Sequence, residues 1–409
     1  MIKTSLKAIY LSLSFTIGIL LFYVTIKMYS LPIFSKVEND VVNVSVLQQL
    51  NYLNAALKNG AADQMQKVYP EGYFFTHVLY GLSWCDFLAP VSHQSKLYKE
   101  GISEITATLQ QLELPQSKAI FNPNLPLQYG AFYVGWSNYL LAKKLQLQLP
   151  PERDTLDIQL FKTNCQQLFN AYQKQAIPYL ESYEYAIWPA DNMLCLASLS
   201  LHDQLFTPQY QTFLQNKIQQ IVKHLDNNTQ LIAHSVLPDD GSVKEGPRGS
   251  SQSLMLCLLP SIDSALAKHQ FKRYKECFLS NRFGLMGVRE YPKGVYGSGD
   301  IDSGPVILGI GGAASIVGTR AMAANNDWQL YGLMRQNMEA LGFPITKNGQ
   351  KYYLNGTITV ADAFIVWVNA INNQPNKTKK VSFRWQFHLF QLLIGLILLI
   401  AWRWIRFVP

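Results

Sequence analysis

The chain has 409 residues, 48% hydrophobic, 12% aromatic and 15% charged, with a formal net charge of +8. That hydrophobic content excludes a disordered chain, and the length is enough to bury a large core. The basicity does not indicate a nucleic-acid partner, because it sits at the ends: residues 1–36 and 377–409 together hold 10 of the 35 basic residues and no acid, while the stretch between holds 25 basic and 27 acidic residues and no basic run.

The first element is an apolar segment over 8–26, preceded by Lys3 and Lys7. It is long enough to cross a bilayer. A retained anchor is expected over a cleaved signal peptide, since Phe22, Tyr23 and Met28 occupy the zone where a small-residue cleavage site would lie. The last element, 385–405, is a second apolar run flanked by Trp385, Trp402 and Trp404, as at membrane interfaces. The expected organisation is an anchor and linker (1–36), a main domain (37–376) and a C-terminal transmembrane helix with basic flanks (377–409). The bilayer is thus the first expected partner. The flanking charges are nearly balanced, and the short basic N-terminal tail favours an extracytoplasmic domain. The sequons at Asn43, Asn227, Asn355 and Asn376 matter only in a eukaryotic secretory pathway.

Between the spans the pattern is helical, with apolar residues at three- and four-residue spacing. Amphipathic segments over 44–57, 96–112, 155–179, 209–225, 268–279 and 327–341 alternate with apolar, nearly uncharged ones over 73–88, 129–141, 188–202, 250–266, 303–324 and 359–371. A helix that is apolar all round is buried, and one with a polar face lies outside. Six such pairs predict an all-α (α/α)6 toroid, an inner ring of six helices inside an outer ring of six.

This six-hairpin plan resembles the (α/α)6 toroid superfamily, which includes six-hairpin glycosidases, unsaturated glucuronyl hydrolases, some polysaccharide lyases and the linalool dehydratase-isomerase domain. The start of the third inner helix, Trp188-Pro-Ala-Asp-Asn192, loosely resembles the last of these. The resemblance covers about 44–373 as architecture, and implies chemistry in a funnel at the N-terminal ends of the inner helices.

The loops that precede the inner helices hold most of the unusual polar and aromatic residues: 70–77, 128–136, 181–192, 239–252, 289–305 and 352–356. Glycoside cleavage needs two carboxyl groups across one bond. Asp191, Asp300, Asp302 and Glu245 are the catalytic candidates. Tyr73, His77, Tyr129, Trp136, Tyr185, Trp188, Asn192 and Arg248 are the substrate-binding candidates, the aromatic ones as stacking platforms. Asp191, Cys195, Ser198 and His202 fall on one helical stripe, which would put Cys195 below Asp191 in the funnel. The five cysteines form no disulfide framework, no Cys/His cluster has metal-ligand spacing, and neither 297–300 nor 309–312 is a nucleotide loop. No metal, no cofactor and no nucleic acid is expected.

The leading expectation is a membrane-anchored glycoside hydrolase acting on a carbohydrate through paired carboxylates. Two alternatives stay open: a dehydratase-isomerase or lyase acting on a small apolar alcohol, and a non-catalytic membrane-tethered binding module.

Overall fold

A computed structural model describes residues 2–301, 303–375 and 383–407. Asp302, Asn376 and the basic residues Lys377, Lys379 and Lys380 lie outside the described residues. The helices in chain order are α1 (Ile2–Lys27), α2 (Val44–Lys58), α3 (Ala61–Val68), α4 (Gly72–Leu88), α5 (Lys96–Leu112), α6 (Pro115–Lys118), α7 (Gly130–Leu147), α8 (Thr155–Gln173) and α9 (Pro189–Leu205). They continue as α10 (Gln211–Lys223), α11 (Gly249–Ile262), α12 (Ser264–Phe278), α13 (Gly312–Ala324), α14 (Trp328–Leu341), α15 (Thr359–Ala370) and α16 (Trp385–Phe407). Antiparallel two-stranded hairpins decorate the loops: β1–β2 (Phe34–Val37, Asp40–Asn43), β3–β4 (Ser235–Val236, Val243–Glu245), β5–β6 (Leu279–Arg282, Leu285–Val288), β7–β8 (Val306–Ile307, Ile310–Gly311) and β9–β10 (Ile345–Lys347, Gln350–Tyr352).

The inner helices α4, α7, α9, α11, α13 and α15 each pack on the next, and α15 packs back on α4, so the ring closes. The amphipathic helices α5, α8, α10, α12, α14 and α2 lie outside, on α4, α7, α9, α11, α13 and α15 respectively. The chain is an (α/α)6 toroid. Nearly every residue of α9 from Pro189 to His202 is buried, as an all-apolar inner helix requires.

Several boundaries differ from the pattern reading: the second inner helix runs on to Leu147, past 141, and the third outer helix stops at Gln173, short of 179. The fifth inner helix begins at Gly312, not near 303, because Gly304 and Gly309 take positive φ of 64° and 81° and the segment folds into β7–β8 instead. The fourth ends at Ile262, where Asp263 caps α12 by accepting from the Leu266 amide.

Four inner helices start on glycine, three of them for a steric reason; a Cβ at Gly72 would lie 2.2 Å from the Met65 carbonyl oxygen. A Cβ at Gly249 would lie 1.9 Å from the Arg289 carbonyl oxygen, and one at Gly130 2.2 Å from that of Ser182. Gly130 also holds φ at +79°. Gly249→Ala and Gly130→Ala are each expected to lose about 1–3 kcal/mol in chemical denaturation. A loss of only a few tenths at both sites would mean the loops are not pinned to the ring there.

The lumen of the ring is filled. Trp136 on α7 meets Trp367 on α15 with ring centroids 6.1 Å apart, and Phe75 packs on Trp136 and Phe364 at 5.5 and 5.4 Å. α7 and α15 flank α4 on its two sides in the ring, so these side chains meet inside it. Deeper, Arg320 of α13 pairs with Asp86 of α4 at 2.6 Å and covers Trp367 at 4.2 Å. The lumen is therefore closed below the mouth, the end at which the inner helices begin.

Two helical segments, Ser5–Lys27 and Trp385–Arg406, are long and apolar enough to cross a membrane. They pack on each other as an antiparallel pair. Tyr10 stacks on Trp402, and Gln391 donates to the Thr25 hydroxyl at 2.6 Å and the Leu21 carbonyl at 3.1 Å. Satisfying polar groups across the helix pair is what an apolar surrounding demands.

Candidate functional site

The densest polar cluster at the mouth is built around Arg248, which stands immediately before α11. β3–β4 sets Glu245 beside it, and the loop from β6 to β7 supplies Glu290, Tyr291 and Asp300. The Arg248 guanidinium donates from Nη1 to Asp300 at 2.5 Å and from Nε to Glu290 at 2.8 Å, and Nη1 lies 3.6 Å from Glu245. Its face rests on the Tyr291 ring at 5.5 Å. The Nη2 nitrogen has no protein partner.

The three carboxylates differ in exposure. Glu290 is fully buried, whereas the Asp300 and Glu245 side chains are 45% and 44% exposed. The hydrogen bond from Arg248 holds Asp300 well below the usual carboxylate range, helped by the Ser303 amide. Burial pushes Glu290 up, against the pull of the Ser250 hydroxyl and Arg248. His234 completes the cluster: its Nδ1 is 3.0 Å from the Ser251 hydroxyl and its Nε2 is 3.8 Å from Glu245. Burial and the nearby Arg248 charge lower it to about 4, so it is neutral at physiological pH.

Of the residues singled out by sequence, the fold thus brings together Glu245, Arg248 and Asp300. Of the other described candidates, most are spent on packing or on hydrogen bonds within the scaffold. Asp191 is buried in the first turn of α9. The stripe it heads faces α7 and the outer α8, not the lumen: the Cys195 thiol donates toward the Ala131 carbonyl, Cys165 toward that of Ser198, and His202 tilts over Phe161. The expected place of Cys195 inside the funnel is therefore corrected. Burial raises its thiol far above the ordinary value, which suits inert packing.

Asn192 is consumed structurally. Its carbonyl oxygen accepts from the Leu180 amide and the Tyr172 hydroxyl, and its amide donates to the Leu180 and Trp188 carbonyls. Trp136 is fully buried in the aromatic plug, so it offers no face to a ligand. Tyr73 is buried with its hydroxyl on Gln111 of α5, and the His77 ring lies tilted against it at 4.6 Å, its pKa lowered to about 4 by burial. Tyr129 lies half-buried under the Lys118 amine, 5.3 Å away. Tyr185 is 78% exposed, and Trp188 is half-buried against Tyr183.

Sequence reading missed His234, Glu290 and Tyr296. His234 becomes a neighbour of Glu245 only because β3–β4 folds back over a six-residue connection. Glu290 is one residue in a loop that reads as merely polar. Tyr296, 87% exposed beside Arg289, is a better-presented ring than most of the predicted ones. Among the described residues no group of three or more His, Cys, Asp or Glu could hold a metal ion.

No family model matches the chain, and no curated protein matches it by sequence. Solved structures do. A D-mannose isomerase is 12% identical, with 72% of this chain and 86% of that one covered and a TM-score of 0.45. A GH76 α-mannanase from Bacteroides thetaiotaomicron is 11% identical over 79% and 95% of the two chains, TM-score 0.47. An unsaturated glucuronyl hydrolase from Bacillus sp. GL1 is 13% identical over 72% and 84%, TM-score 0.46. The assignment of the fold rests on the closed ring of contacts described above.

Proposed function

We propose that the chain is a membrane-anchored carbohydrate-active enzyme, a glycoside hydrolase whose reacting groups are Asp300 and Glu245. The observation that carries this is one buried guanidinium, Arg248, presenting two solvent-facing carboxylates at the mouth of the toroid. Both approach the same nitrogen, so their nearest oxygens are no more than about 6 Å apart, closer to the retaining arrangement of about 5 Å than to the inverting one. Asp300, kept ionised by Arg248, serves as nucleophile, and Glu245 gives and takes the proton. Exposed rings at Tyr296 and Tyr185 suit sugar stacking. The two apolar helices anchor the toroid with its domain on the extracytoplasmic side. A protease-protection assay on intact cells checks that side.

Asp300→Asn and Glu245→Gln are each expected to lower kcat on a glycoside turned over by the parent chain by about 10²–10⁴-fold. The product is expected to retain anomeric configuration. Unchanged kcat in both variants would end this reading. The same substitution series at Asp191 is expected to leave kcat within a few-fold, since its stripe faces the outer layer.

A further inference from the structure

The way the apolar helices join the toroid fixes which end of it meets the bilayer. α14 ends at Leu341 on the mouth side, because residues 342–358 lead from it directly to the N-terminal end of α15. Both spans are fastened to α14. Arg335 donates to the Ser30 carbonyl, while Arg384 donates to Asn337 at 2.6 Å, to Gln336 at 2.8 Å and to the Leu333 carbonyl at 2.8 Å. One turn nearer the mouth, Val24, Met28 and Phe387 bury themselves around Ala340. Beyond the end of α14, Tyr23 stacks on Phe343 at 5.4 Å, and Phe390 stacks on Phe283 at 4.5 Å. Along α14 toward the mouth, the contacts thus step from Ser30 to Tyr23 on one span and from Arg384 to Phe390 on the other. Both spans leave the toroid past its mouth. The opposite end is where Asn43 bonds to Asn372 and Asn373 after α15.

The mouth rim beside the spans is apolar and bare. Phe283, Ile307, Leu308 and Phe343 are 52%, 68%, 62% and 44% exposed; Phe283 and Leu308 sit at the β5–β6 and β7–β8 turns, Ile307 in β7 and Phe343 just ahead of β9. Arg282 donates to the Leu308 carbonyl at 3.3 Å, which holds the β5–β6 and β7–β8 turns at one level. A cavity of about 650 Å³ opens between α1 and the β9–β10 segment, lined by Tyr23, Phe343, Pro344, Ile345 and Leu354. Clustered exposed apolar groups mark an interaction surface, and here the surface is continuous with two helices that are themselves apolar all round.

We infer that the mouth of the toroid is seated on the bilayer, and that the substrate is a bilayer-borne amphiphile whose apolar tail stays in the leaflet while its sugar head enters the mouth. The saccharide part rests on the proposed hydrolase reading; the seating does not. Part of the rim shares a segment with one of the carboxylates: Asp300 precedes Ile307 and Leu308 by seven and eight residues, and Arg289 bridges to Ile310. A head group lying at the interface is therefore within reach of Asp300, whereas a long soluble polymer would have to pass between domain and membrane.

The test uses the full chain in phosphatidylcholine vesicles. An environment-sensitive fluorophore is placed by Phe283→Cys, Leu308→Cys or Phe343→Cys, and by Leu156→Cys, an exposed site at the opposite end of the toroid; labelled parent chain supplies the background from the native thiols. Lipid carrying a shallow spin-label quencher is expected to quench the three rim positions at least two-fold more than position 156. Equal quenching at all four overturns the seating; since Leu308 sits on an exposed turn, loss of folding in a Phe variant does not blunt the test. In parallel, a glycosyl diacylglycerol in the vesicles is compared with the same sugar on free glycerol. At least ten-fold faster cleavage of the vesicle-borne form is expected, and equal rates overturn the amphiphile assignment. Rim quenching with cleavage of neither leaves the seating standing and sinks the hydrolase reading.

Discussion

Arg248→Met is expected to lower stability by about 3–5 kcal/mol, because it strands a carboxylate inside the protein. Glu290 is fully buried, and its Oε1 takes its hydrogen bonds from Arg248 at 2.8 Å and the Ser250 hydroxyl at 2.8 Å, while Oε2 has none. Removing the guanidinium leaves a buried charge with a single neutral donor. Burial already raises the Glu290 carboxyl with Arg248 in place, so its loss drives the carboxyl further up. The destabilisation is therefore expected to shrink as pH falls through the raised value and the carboxyl protonates in the folded state. Adding Glu290→Gln removes the charge and keeps an acceptor for Ser250; the double variant is expected to recover most of the loss. Thermal unfolding of the full chain in detergent at pH 5 and pH 8 measures both effects. A single-variant loss under about 1 kcal/mol would show that Arg248 is replaceable as a counter-ion.

The same residue explains why parts of the site were legible in the chain and parts were not. Arg248 and Glu245 stand three apart in a glycine-rich charged loop before a wholly apolar helix, a contrast visible in the sequence alone. Asp300 was visible for the same reason. Glu290 was not, because what distinguishes it is burial under Gly311 and β7–β8, and that hairpin falls where the apolar pattern reads as helix. The platform residues failed differently. Trp136, Tyr73 and His77 were placed by nearness to a helix start, but a helix start has a lumen side and an outer side, and nearness does not choose between them. Trp136 fills the lumen, Tyr73 reaches an outer helix, and neither meets solvent. The ring itself was legible because its signal is repeated six times: an uncharged segment of four turns must be covered on every side, whatever its loops do.

Asp362→Asn is expected to stabilise the toroid at pH 8 and to leave its stability at pH 4 unchanged. The residue lies in the first turn of α15, 4% exposed, with Oδ1 accepting from the Tyr353 amide at 2.7 Å. Burial raises its carboxyl to about 7, and the single amide donor only partly opposes this. In the unfolded chain an aspartate releases its proton near pH 4. Below that value both states are protonated and folding is unaffected. Between about 4 and 7 the unfolded chain ionises at this residue while the folded one holds its proton, so the contribution of Asp362 to stability falls as pH rises and levels off above 7. A shift of about three units corresponds to about 4 kcal/mol at most. Asparagine keeps an acceptor for the Tyr353 amide and never ionises. The variant is therefore expected to match the parent at pH 4 and exceed it by up to about 4 kcal/mol at pH 8 in denaturant unfolding of the full chain. Equal stability of the two at pH 8 would mean that Asp362 is charged in the folded protein at little cost, and that its pocket admits water.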